Sequence, residues 1–584
     1  MNRRSFVRAA AASALGVGAG RNGLALAGGE ARSSGLPDAA RVGWLGARFG
    51  LTLDRVLSGS GPSYSEDFVL ADVKPTAERR FTEYSGDVSG RYIGALATAI
   101  RVYGVEAPHL DALVDKVIAL QKPEGYFGAA FHEDKLTDAD MALLWGNGRL
   151  LVGLLEYWQL RKRTEALAAS TRLGDFLVRI GPRMLSPEMR AAFGAQHFAS
   201  SYICWTQQTE GLALLYGATK DERYRDLAEK IAAVIERRPS DHVHGYLSSL
   251  RGVMVLQELT GDAALLKQCE TAWEDIAASQ DLLITGGVPE GWSPNNHRTE
   301  GCGEADWVRL NLALSKATGK ARYLEMAEKT IFNELAFNQY ATGDFGHRVY
   351  TATGLAAAGA VRAWWCCTLH GLRCFPDVQE SVFRERKGGL SYDLPLDGRV
   401  EGGALSAVAD SRLDQDGTVR ITMTKGSKEP AMLAIRLPEW ATGLEARGKG
   451  FGQLMPLEDG YRGIERVWSA GDVVEIQYAM DLRAKPDGNG RTSYWFGPWL
   501  LGASAADNPG YFNELTTENR LLGKAVGDQK LIQGRGGVFQ VPVAQAAFAY
   551  AQAEYPDQPG TVQLRAIAEQ TGLATTSWEL RFRT

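Results

Sequence analysis

Apolar residues recur with the spacing of amphipathic helices from about Ser85 to Glu380. In this stretch three segments, 219–229, 260–270 and 318–328, each begin with a Thr and a polar turn and end on an apolar residue and a Glu. The pattern predicts one helix ending at each turn and a second amphipathic helix beginning after it. The turns lie 41 (260 − 219) and 58 (318 − 260) residues apart. Hairpins of this size cannot bury their apolar faces alone, so they predict a ring or solenoid of helix pairs.

The periodicity changes after about Lys387. Short runs rich in β-branched residues, separated by Gly, Pro and Asp, occupy 419–423, 432–437 and 473–476. Runs of this length and spacing predict the strands of a β-sandwich. The longer interval between the second and third helical turns is due to 284–299, whose Gly, Pro and Asn predict a functional loop.

Length and charge limit the classes of protein to be considered. At 584 residues the chain exceeds what one core usually supports, which predicts two large domains. The net charge of −5 and the pI near 6.0 argue against nucleic acid or an anionic membrane as a partner. The 45% of apolar residues is ordinary for a soluble globular protein.

The first residues have the features of an export signal. Arg3 and Arg4 precede a small-residue apolar run from Ala9 to Gly18, and Ala25-Leu26-Ala27 fits a small-x-small cleavage site. This arrangement predicts a twin-arginine signal peptide at 1–27, and therefore a mature protein that is periplasmic or secreted. The apolar run is too short for a permanent membrane anchor. Because this route carries folded proteins, a metal site could be loaded in the reducing cytoplasm before export.

Two short motifs contain three of the six cysteines. Cys366 and Cys367 are adjacent, and Glu300 and Cys302 flank a glycine 64 residues earlier (366 − 302). Three thiolates and a carboxylate would complete a tetrahedral Zn²⁺ site, in which a metal-bound thiol is held in its reactive form. A catalytic metal centre, a purely structural zinc and buried thiols without metal all fit this pattern. The remaining cysteines are predicted to be packing residues, namely Cys204, Cys269 and Cys374.

Several motifs, taken in order, resemble the β-L-arabinofuranosidase family of bacterial glycosidases (glycoside hydrolase family 127 and its relatives). Residues 121–126, Gln-Lys-Pro-Glu-Gly-Tyr, are similar to that family's Gln-x-Pro-Asp-Gly-Tyr turn, and the helix after Cys302 resembles the one following its Glu-x-Cys. The segments 436–441 with Trp440, 460–472, and Gly497-Pro498 resemble its β-domain signatures. The likeness runs through most of the mature chain.

This resemblance implies an α+β multidomain protein, with a six-hairpin α/α toroid over residues 28–386 and a β-sandwich region over 387–584. It also implies a retaining mechanism with a cysteine nucleophile, in which the sulfur forms a covalent glycosyl-enzyme. Carried over residue by residue, the zinc ligands are Glu300, Cys302, Cys366 and Cys367, and Cys366 is the nucleophile.

The resemblance places the general acid in the loop between a Thr-Gly-Gly turn, here 285–287, and Glu300. Glu290 is the only carboxylate in this interval, and Glu304, two residues after Cys302, is the second candidate. This chain departs from the family in two places. The loop is shorter and lacks the family's Gly-Glu-Ala-Phe, which concerns the general acid. Cys-Cys-Pro-Pro-Asn has become Cys-Cys-Thr-Leu-His, which concerns the substrate. His370 therefore stands where the family has an Asn that contacts sugar.

Further residues are candidates for the lining of a sugar pocket. His242 and His244 stand together at a predicted helix start in a chain with eight histidines. They are interpreted as hydrogen-bond partners of sugar hydroxyls, although a cap neighbour or a metal pair also fits. Asp87, Trp145 and Gln208 are placed where the helices of the toroid open toward its mouth.

The sequence thus predicts an exported, zinc-dependent, retaining glycoside hydrolase that releases L-arabinofuranose or a related sugar from an oligosaccharide or glycoside. No nucleic-acid partner and no membrane partner of the mature form are expected, and the oligomeric state is left open. Two alternatives stand beside this reading. One is another α/α-toroid enzyme with carboxylate-only hydrolase or lyase chemistry and a structural zinc, and the other is a non-catalytic carbohydrate-binding protein.

Overall fold

In this computed structural model, the residues that the structure describes are 43–58, 64–74, 83–194, 201–239, 241–292, 298–351, 354–355, 363–450, 454–508, 523–525, 532–533, 539–545, 558–569 and 577–583. The predicted signal peptide at 1–27 lies outside them.

Between Gly43 and Glu380 most of the described residues are helical, as the apolar spacing predicts for 85–380. The helices in the described part are α1 (Gly43–Leu57), α2 (Glu66–Ala71), α3 (Asp87–Tyr103), α4 (Leu110–Ile118), α5 (Asp138–Arg161), α6 (Thr164–Met184), α7 (Pro187–Gly194), α8 (Ile203–Thr206), α9 (Gln208–Thr219), α10 (Glu222–Ala232), α11 (Val243–Thr260), α12 (Ala263–Ala277), α13 (Gly301–Thr318), α14 (Ala321–Thr330), α15 (Ala336–Asn338) and α16 (Trp365–Glu380). A π-helical turn, Ile331–Leu335, joins α14 to α15.

Six inner helices form a closed ring. In chain order α3, α5, α9, α11, α13 and α16 each pack against the next, and α16 packs against α3. Outside the ring, α4, α6, α10, α12 and α14 each pack on the inner helix that precedes them, and α1 packs on α16. The inner helices are buried on nearly every side, whereas outer helices such as α10 bury one stripe. This arrangement confirms the predicted α/α toroid of six helix pairs.

The three repeated turns of the sequence use the same hydrogen bonds. The hydroxyl of each Thr donates to the carbonyl four residues earlier and accepts the N–H of the residue two positions later, at Thr219, Thr260 and Thr318. The residue after each Thr has a positive φ, which ends the inner helix in a left-handed cap. The turn chemistry read from the sequence is therefore what stops each inner helix and starts the outer one.

Three short strands lie within the helical part and the rest follow α16. They are β1 (Arg298–Glu300), β2 (His347–Val349), β3 (Gly354–Leu355), β4 (Phe383–Arg386), β5 (Gly389–Tyr392), β6 (Gly398–Val400), β7 (Ser406–Arg412), β8 (Thr418–Lys425), β9 (Ala431–Arg436), β10 (Ala441–Arg447), β11 (Met455–Pro456), β12 (Tyr461–Arg466), β13 (Val473–Met480), β14 (Leu482–Pro486), β15 (Arg491–Phe496), β16 (Trp499–Ser504), β17 (Gly523–Ala525), β18 (Ile532–Gln533), β19 (Phe539–Gln545), β20 (Gln558–Ala566), β21 (Trp578–Glu579) and β22 (Phe582–Arg583).

The three predicted strand runs coincide with β8, β9 and β13, which lie in two neighbouring sheets. One sheet has the order β10-β13-β8-β7-β6 and the other β11-β12-β9-β5-β4. Alternate residues of β8 and β13 are buried, as expected for strands with one face on a core. The hydroxyl of Tyr478 on β13 donates to the carbonyl of Arg436 on β9 (3.3 Å), which joins the two sheets. A third sheet, from β14 to β22 with β3, contains the C-terminal strands.

Buried ion pairs join the β-region to the toroid. Arg436 on β9 is 1% exposed and contacts the carboxylates of Glu325 and Glu328 on α14. Trp440 donates its indole N–H to Glu328 as well. Because every charge in this group has a partner, the group can stay dehydrated between helix and sheet. None of the helices described here is long and apolar enough to cross a bilayer.

Candidate active site

The two cysteine motifs meet where two inner helices begin. Glu300 ends β1 and caps the N-terminus of α13, and Cys302 lies in the first turn of that helix. Cys366 and Cys367 lie in the first turn of α16. The sulfur atoms of the three cysteines all lie within 4.8 Å of one another, and Cys302 Sγ is 3.8 Å from Cys367 Sγ. Helix N-termini stabilise negative charge, so both helices favour thiolates at this point.

Gly301 allows this approach between the two helices. A Cβ atom on Gly301 would lie 2.9 Å from Cβ of Phe345 and 3.1 Å from Cβ of Cys367. Its backbone N–H donates to the carbonyl of Gly346 at 2.9 Å, which holds the start of α13 against the chain leading into β2. A residue without a side chain is thus required between Glu300 and Cys302.

The donor set fits a metal ion on structural grounds. Glu300 is 4% exposed, and its Oε1 accepts no hydrogen bond from the described residues, although His242 Nε2 lies 3.3 Å away. A buried carboxylate oxygen in this condition needs a compensating partner. Ligand atoms of Glu300 and Cys367 lie within 4.8 Å of each other. One carboxylate and three sulfurs form the tetrahedral, sulfur-rich set that zinc prefers.

Among the three thiols, Cys366 is the one that is poised to ionise. Hydrogen bonds from Cys302 and Cys367 hold the pKa of Cys366 well below its usual value, and the positive charge of Arg91 adds to this against the opposing effect of burial. The pKa values of Cys302 and Cys367 are instead raised, chiefly by burial. Cys366 is also the least buried of the three. The negative charge of the cluster therefore concentrates on the sulfur nearest solvent.

The loop before β1 brings Glu290 to the same place. Its backbone N–H donates to the carbonyl of Arg298 (2.7 Å), and its carbonyl accepts the N–H of Val243 at the start of α11 (3.0 Å). The Glu290 carboxylate contacts Nε of Arg298 and lies 3.6 Å from His347 Nε2. Burial alone would raise the pKa of Glu290, but the His347 hydrogen bond and the charges of His242 and Arg298 outweigh it and leave this pKa lowered. Glu290 is thus a buried, positioned carboxylate beside the thiol cluster.

Behind the thiols lies a second layer of charged groups. Asp306 Oδ2 is 2.5 Å from His244 Nδ1, and Asp306 Oδ1 is 2.7 Å from His370 Nε2. The opposite ring nitrogens face Arg91, which is 2.8 Å from His244 Nε2 and 3.2 Å from His370 Nδ1. A guanidinium only donates, so each imidazole is neutral and carries its proton on the nitrogen that faces Asp306. Burial raises the pKa of Asp306, but the contacts with His370 and His244 and the positive charge of Arg251 outweigh it and hold this pKa well below its usual value.

Acid is expected to destabilise the toroid because these two histidines stay neutral. Burial lowers the pKa of His370 to about 3 and holds that of His244 well below its ordinary value, whereas in the unfolded chain both titrate near pH ~6.5. Between these two pKa values the unfolded state binds more protons than the folded state. The free energy of unfolding is therefore highest above pH ~6.5 and decreases as the pH falls, by up to roughly 1.4 kcal/mol per pH unit for each histidine.

Denaturant unfolding between pH 7 and 4.5 measures this dependence. The variant His370→Gln is expected to reduce the slope by about one proton. His132→Gln is the matched control, since that imidazole is 62% exposed. A free energy of unfolding that does not change over this interval would contradict the assignment of neutral histidines.

The structure places the other predicted pocket residues at different depths. Asp87 Oδ1 accepts hydrogen bonds from Arg91 Nε (2.8 Å) and Trp145 Nε1 (3.1 Å). The Trp145 ring lies 5.7 Å from the ring of His242, so these residues border the cluster. The amide of Gln208 is fully buried and donates to two backbone carbonyls in helix packing. Their roles as sugar contacts stay predictions.

The second acid candidate, Glu304, contacts the backbone of the loop at Val288. It is fully buried, its Oε1 accepts the N–H of Val288 at 3.1 Å, and burial together with Glu334 raises its pKa strongly. This carboxyl supports the loop that carries Glu290.

Sequence reasoning missed His347, Arg298, Asp306 and Arg91. His347 and Glu300 are cross-strand partners of β2 and β1, a pairing between residues far apart in the chain. The small number of histidines was one signal in the sequence that could have identified such residues. Four of the eight histidines of the chain gather at this site, namely His242, His244, His347 and His370. Helical spacing was a second signal, because residues four apart lie on the same face of a helix. Asp306 lies one turn beyond Cys302, and Arg91 lies one turn beyond Asp87.

Comparison with known proteins agrees with this geometry. The model of the GH127 β-L-arabinofuranosidase catalytic domain matches residues 71–380, more than half of the chain, and that of the GH127 middle domain matches 396–480. No curated protein sequence matches the chain.

Solved structures show the same fold. A GH127 β-arabinofuranosidase superposes with a TM-score of 0.70 at 17% identity, covering 94% of this chain and 97% of the other. The GH127 β-L-arabinofuranosidase of Geobacillus stearothermophilus T6 gives 0.68 at 17% identity, covering 94% and 98%. The match of the catalytic-domain model, over the residues that build the toroid and its thiol cluster, shows that this chain belongs to the GH127 β-L-arabinofuranosidase family of glycoside hydrolases.

Proposed function

We propose that this glycoside hydrolase is a zinc-dependent, retaining enzyme that releases L-arabinofuranose or a related sugar, with Cys366 as nucleophile and Glu290 as general acid and base. The observation that carries the proposal is the cluster of three sulfurs within 4.8 Å at the N-termini of two inner helices, in which Cys366 is the least buried. The family assignment favours an enzyme over a non-catalytic carbohydrate-binding protein.

In the first step the sulfur of Cys366 attacks the anomeric carbon while the bond from that carbon to the leaving oxygen breaks. Glu290 gives its proton to that oxygen. In the second step Glu290 takes a proton from water, the water oxygen bonds to the anomeric carbon, and the electron pair of the C–S bond returns to Cys366. The two inversions give a product with retained configuration.

Each residue has a reason for its role in these steps. The lowered pKa of Glu290 suits the base of the second step. As the acid of the first step it gains its proton when a bound sugar replaces water beside the carboxyl, since desolvation raises a carboxyl pKa. Glu300, Cys302, Cys366 and Cys367 would hold the zinc ion. When bound, zinc would keep the sulfurs anionic and ease the departure of Cys366 from carbon.

A carboxylate-only mechanism with a structural zinc is the alternative. It is favoured by one observation, that oxygens of Glu290 and Glu300 lie within 4.8 Å of each other and of a ring nitrogen of His242. In that mechanism no bond to sulfur forms, so the fate of Cys366 separates the two.

We further propose that the protein is exported by the twin-arginine route and acts in the periplasm or outside the cell. The Arg3-Arg4 motif and the cleavage pattern at 25–27 support this. N-terminal sequencing of the secreted protein tests it, and a secreted form that retains 1–27 would contradict it.

The first experiment is to incubate the zinc-loaded mature protein with an activated β-L-arabinofuranoside and to quench it in acid. Intact and peptide mass spectrometry should find one pentose residue on the peptide that contains Cys366, and metal analysis should find one zinc per chain. Turnover with zinc bound but without a sulfur adduct would favour the carboxylate-only mechanism. Absence of zinc from an active protein would remove the metal from the proposal.

A further inference from the structure

Arg91 connects the thiol cluster to the charged layer behind it. It lies on inner helix α3, is 7% exposed, and its Nη1 is 3.6 Å from Sγ of Cys302. The same guanidinium donates to Asp87 through Nε, at 2.8 Å. Among the residues described, Arg91 is thus a fixed positive charge in direct contact with one of the proposed ligand sulfurs.

Two histidines hold the terminal nitrogens of Arg91, and both ring nitrogens of each histidine are occupied. His244 and His370 accept from its two terminal nitrogens, and the other nitrogen of each ring faces Asp306. Asp306 in turn accepts from Arg251 Nη1 at 2.5 Å. Both ring nitrogens of each histidine are therefore engaged within the protein. This gives His244 and His370 a use other than binding a sugar hydroxyl.

We infer that Arg91 is a positioning residue of the reaction, which stabilises through Cys302 the negative charge that returns to the sulfur cluster when the glycosyl-enzyme is hydrolysed. The inference rests on the proposed function. The physical reason is that a charge-assisted N–H···S contact in a buried site needs no reorganisation when the charge appears.

The second half of the reaction is where this charge appears. While the sugar is bonded to Cys366, that sulfur is a neutral thioether. When water attacks, the C–S electron pair moves to sulfur, the proton of water moves to Glu290, and the cluster gains one negative charge. A positive neighbour lowers the energy of this state more than that of the thioether, so it accelerates the second step in particular.

The test uses the zinc-loaded full-length enzyme with Arg91→Gln, Arg91→Lys and the control Arg149→Gln. Arg149 is buried in the same layer, 3.3 Å from His244 Nε2, and donates to Ser248 rather than to a sulfur. With Arg91→Gln, kcat is expected to fall about tenfold or more, as for loss of a charged hydrogen bond. KM should fall with it, because hydrolysis of the glycosyl-enzyme becomes limiting. Arg91→Lys, which keeps the charge, should restore part of kcat.

Two readouts are independent of turnover rate. The steady-state fraction of Cys366 that carries sugar should rise in Arg91→Gln. In the proteins loaded with Co²⁺ instead of zinc, the sulfur-to-metal charge-transfer band should move to lower energy in Arg91→Gln, because an unbonded sulfur donates more readily, and should not move in Arg149→Gln. Should Arg91→Gln fail to fold, Asp87→Asn removes one anchor of Arg91 and should move both readouts in the same direction.

The outcomes distinguish this inference from the function on which it rests. The proposed role of Arg91 is wrong if the wild type forms the sulfur adduct and shows the cobalt band, while a folded Arg91→Gln protein has the same adduct fraction and the same band energy. A kcat/KM that falls together with metal content, with no gain in adduct, would show a structural role only. A wild type without adduct and without the band overturns the proposed function and this inference with it.

Discussion

Turnover of an activated arabinofuranoside is expected to fall on the order of 10⁴-fold or more when Cys366 is replaced by alanine, as it does for other enzymes that lose their nucleophile. The loss follows from the absence of any sulfur that could form the glycosyl-enzyme, since Cys302 and Cys367 are more deeply buried and have raised pKa values. Steady-state kinetics with parallel metal analysis measure the effect, because Cys366 is both the proposed nucleophile and a proposed zinc ligand.

The matched control lies on the same helix. Cys374 is fully buried two turns below Cys366, and its thiol contacts the carbonyl of Ala305 at 3.8 Å. Cys374→Ala removes a small packing group and is expected to keep wild-type zinc content and rate within a few-fold. A Cys366→Ala protein that retains zinc and more than a tenth of the wild-type rate would show that sulfur is not the nucleophile.

The second large effect is expected for Glu290→Gln, and its size should depend on the leaving group. An unactivated glycoside needs a proton on its leaving oxygen, so its rate should fall about 10²- to 10⁴-fold. An aryl glycoside with an acidic phenol leaves without help, so its first step should stay fast while the second, which needs the base, slows. The sulfur adduct should then accumulate in the quenched reaction, and added azide should restore turnover by replacing water as the attacking group.

Glu304→Gln provides the comparison for this variant. That carboxyl accepts the N–H of Val288 and supports the same loop. It is expected to lower rates on both kinds of glycoside by a similar factor, with no accumulation of adduct and no rescue by azide. If Glu304→Gln instead showed the leaving-group dependence, the general acid would be Glu304 and the assignment of Glu290 would be wrong.

The sequence pattern alone predicted a ring or solenoid of helix pairs because the relevant information is local, whereas the closed six-hairpin toroid followed from the family resemblance. The Thr-containing turns at 219, 260 and 318 each fix a helix end through hydrogen bonds within four residues. The ligand motifs are also local: Glu300 with Cys302, and Cys366 with Cys367, each follow from two or three adjacent residues. None of the sequence motifs indicated α1 (Gly43–Leu57), yet it supplies the sixth outer helix, which depends on packing against α16 over 300 residues away.

The parts of the site that were missed depend on contacts between distant segments. His347 reaches Glu300 only through the pairing of β1 with β2. Arg91 meets Cys302 only when the ring closes between α3 and α16, and nothing near Arg91 in sequence signals a sulfur partner. His244 and His370 were found as candidates, but their hydrogen bonds to Asp306 and Arg91 could not be foreseen from helix periodicity.

The packing of α1 on α16 also orders events during synthesis. The ring of Phe49 on α1 stacks on the ring of Tyr103 at a centroid distance of 3.8 Å and lies 6.1 Å from the ring of Phe375 on α16. These three aromatic residues therefore join segments from both ends of the helical region. Contacts of such high sequence separation form late, because a long loop must close first. A ribosome must therefore release about 380 residues before α1 finds its place. Until then the thiol cluster cannot form either, because it needs Cys302 on α13 together with Cys366 and Cys367 in the first turn of α16.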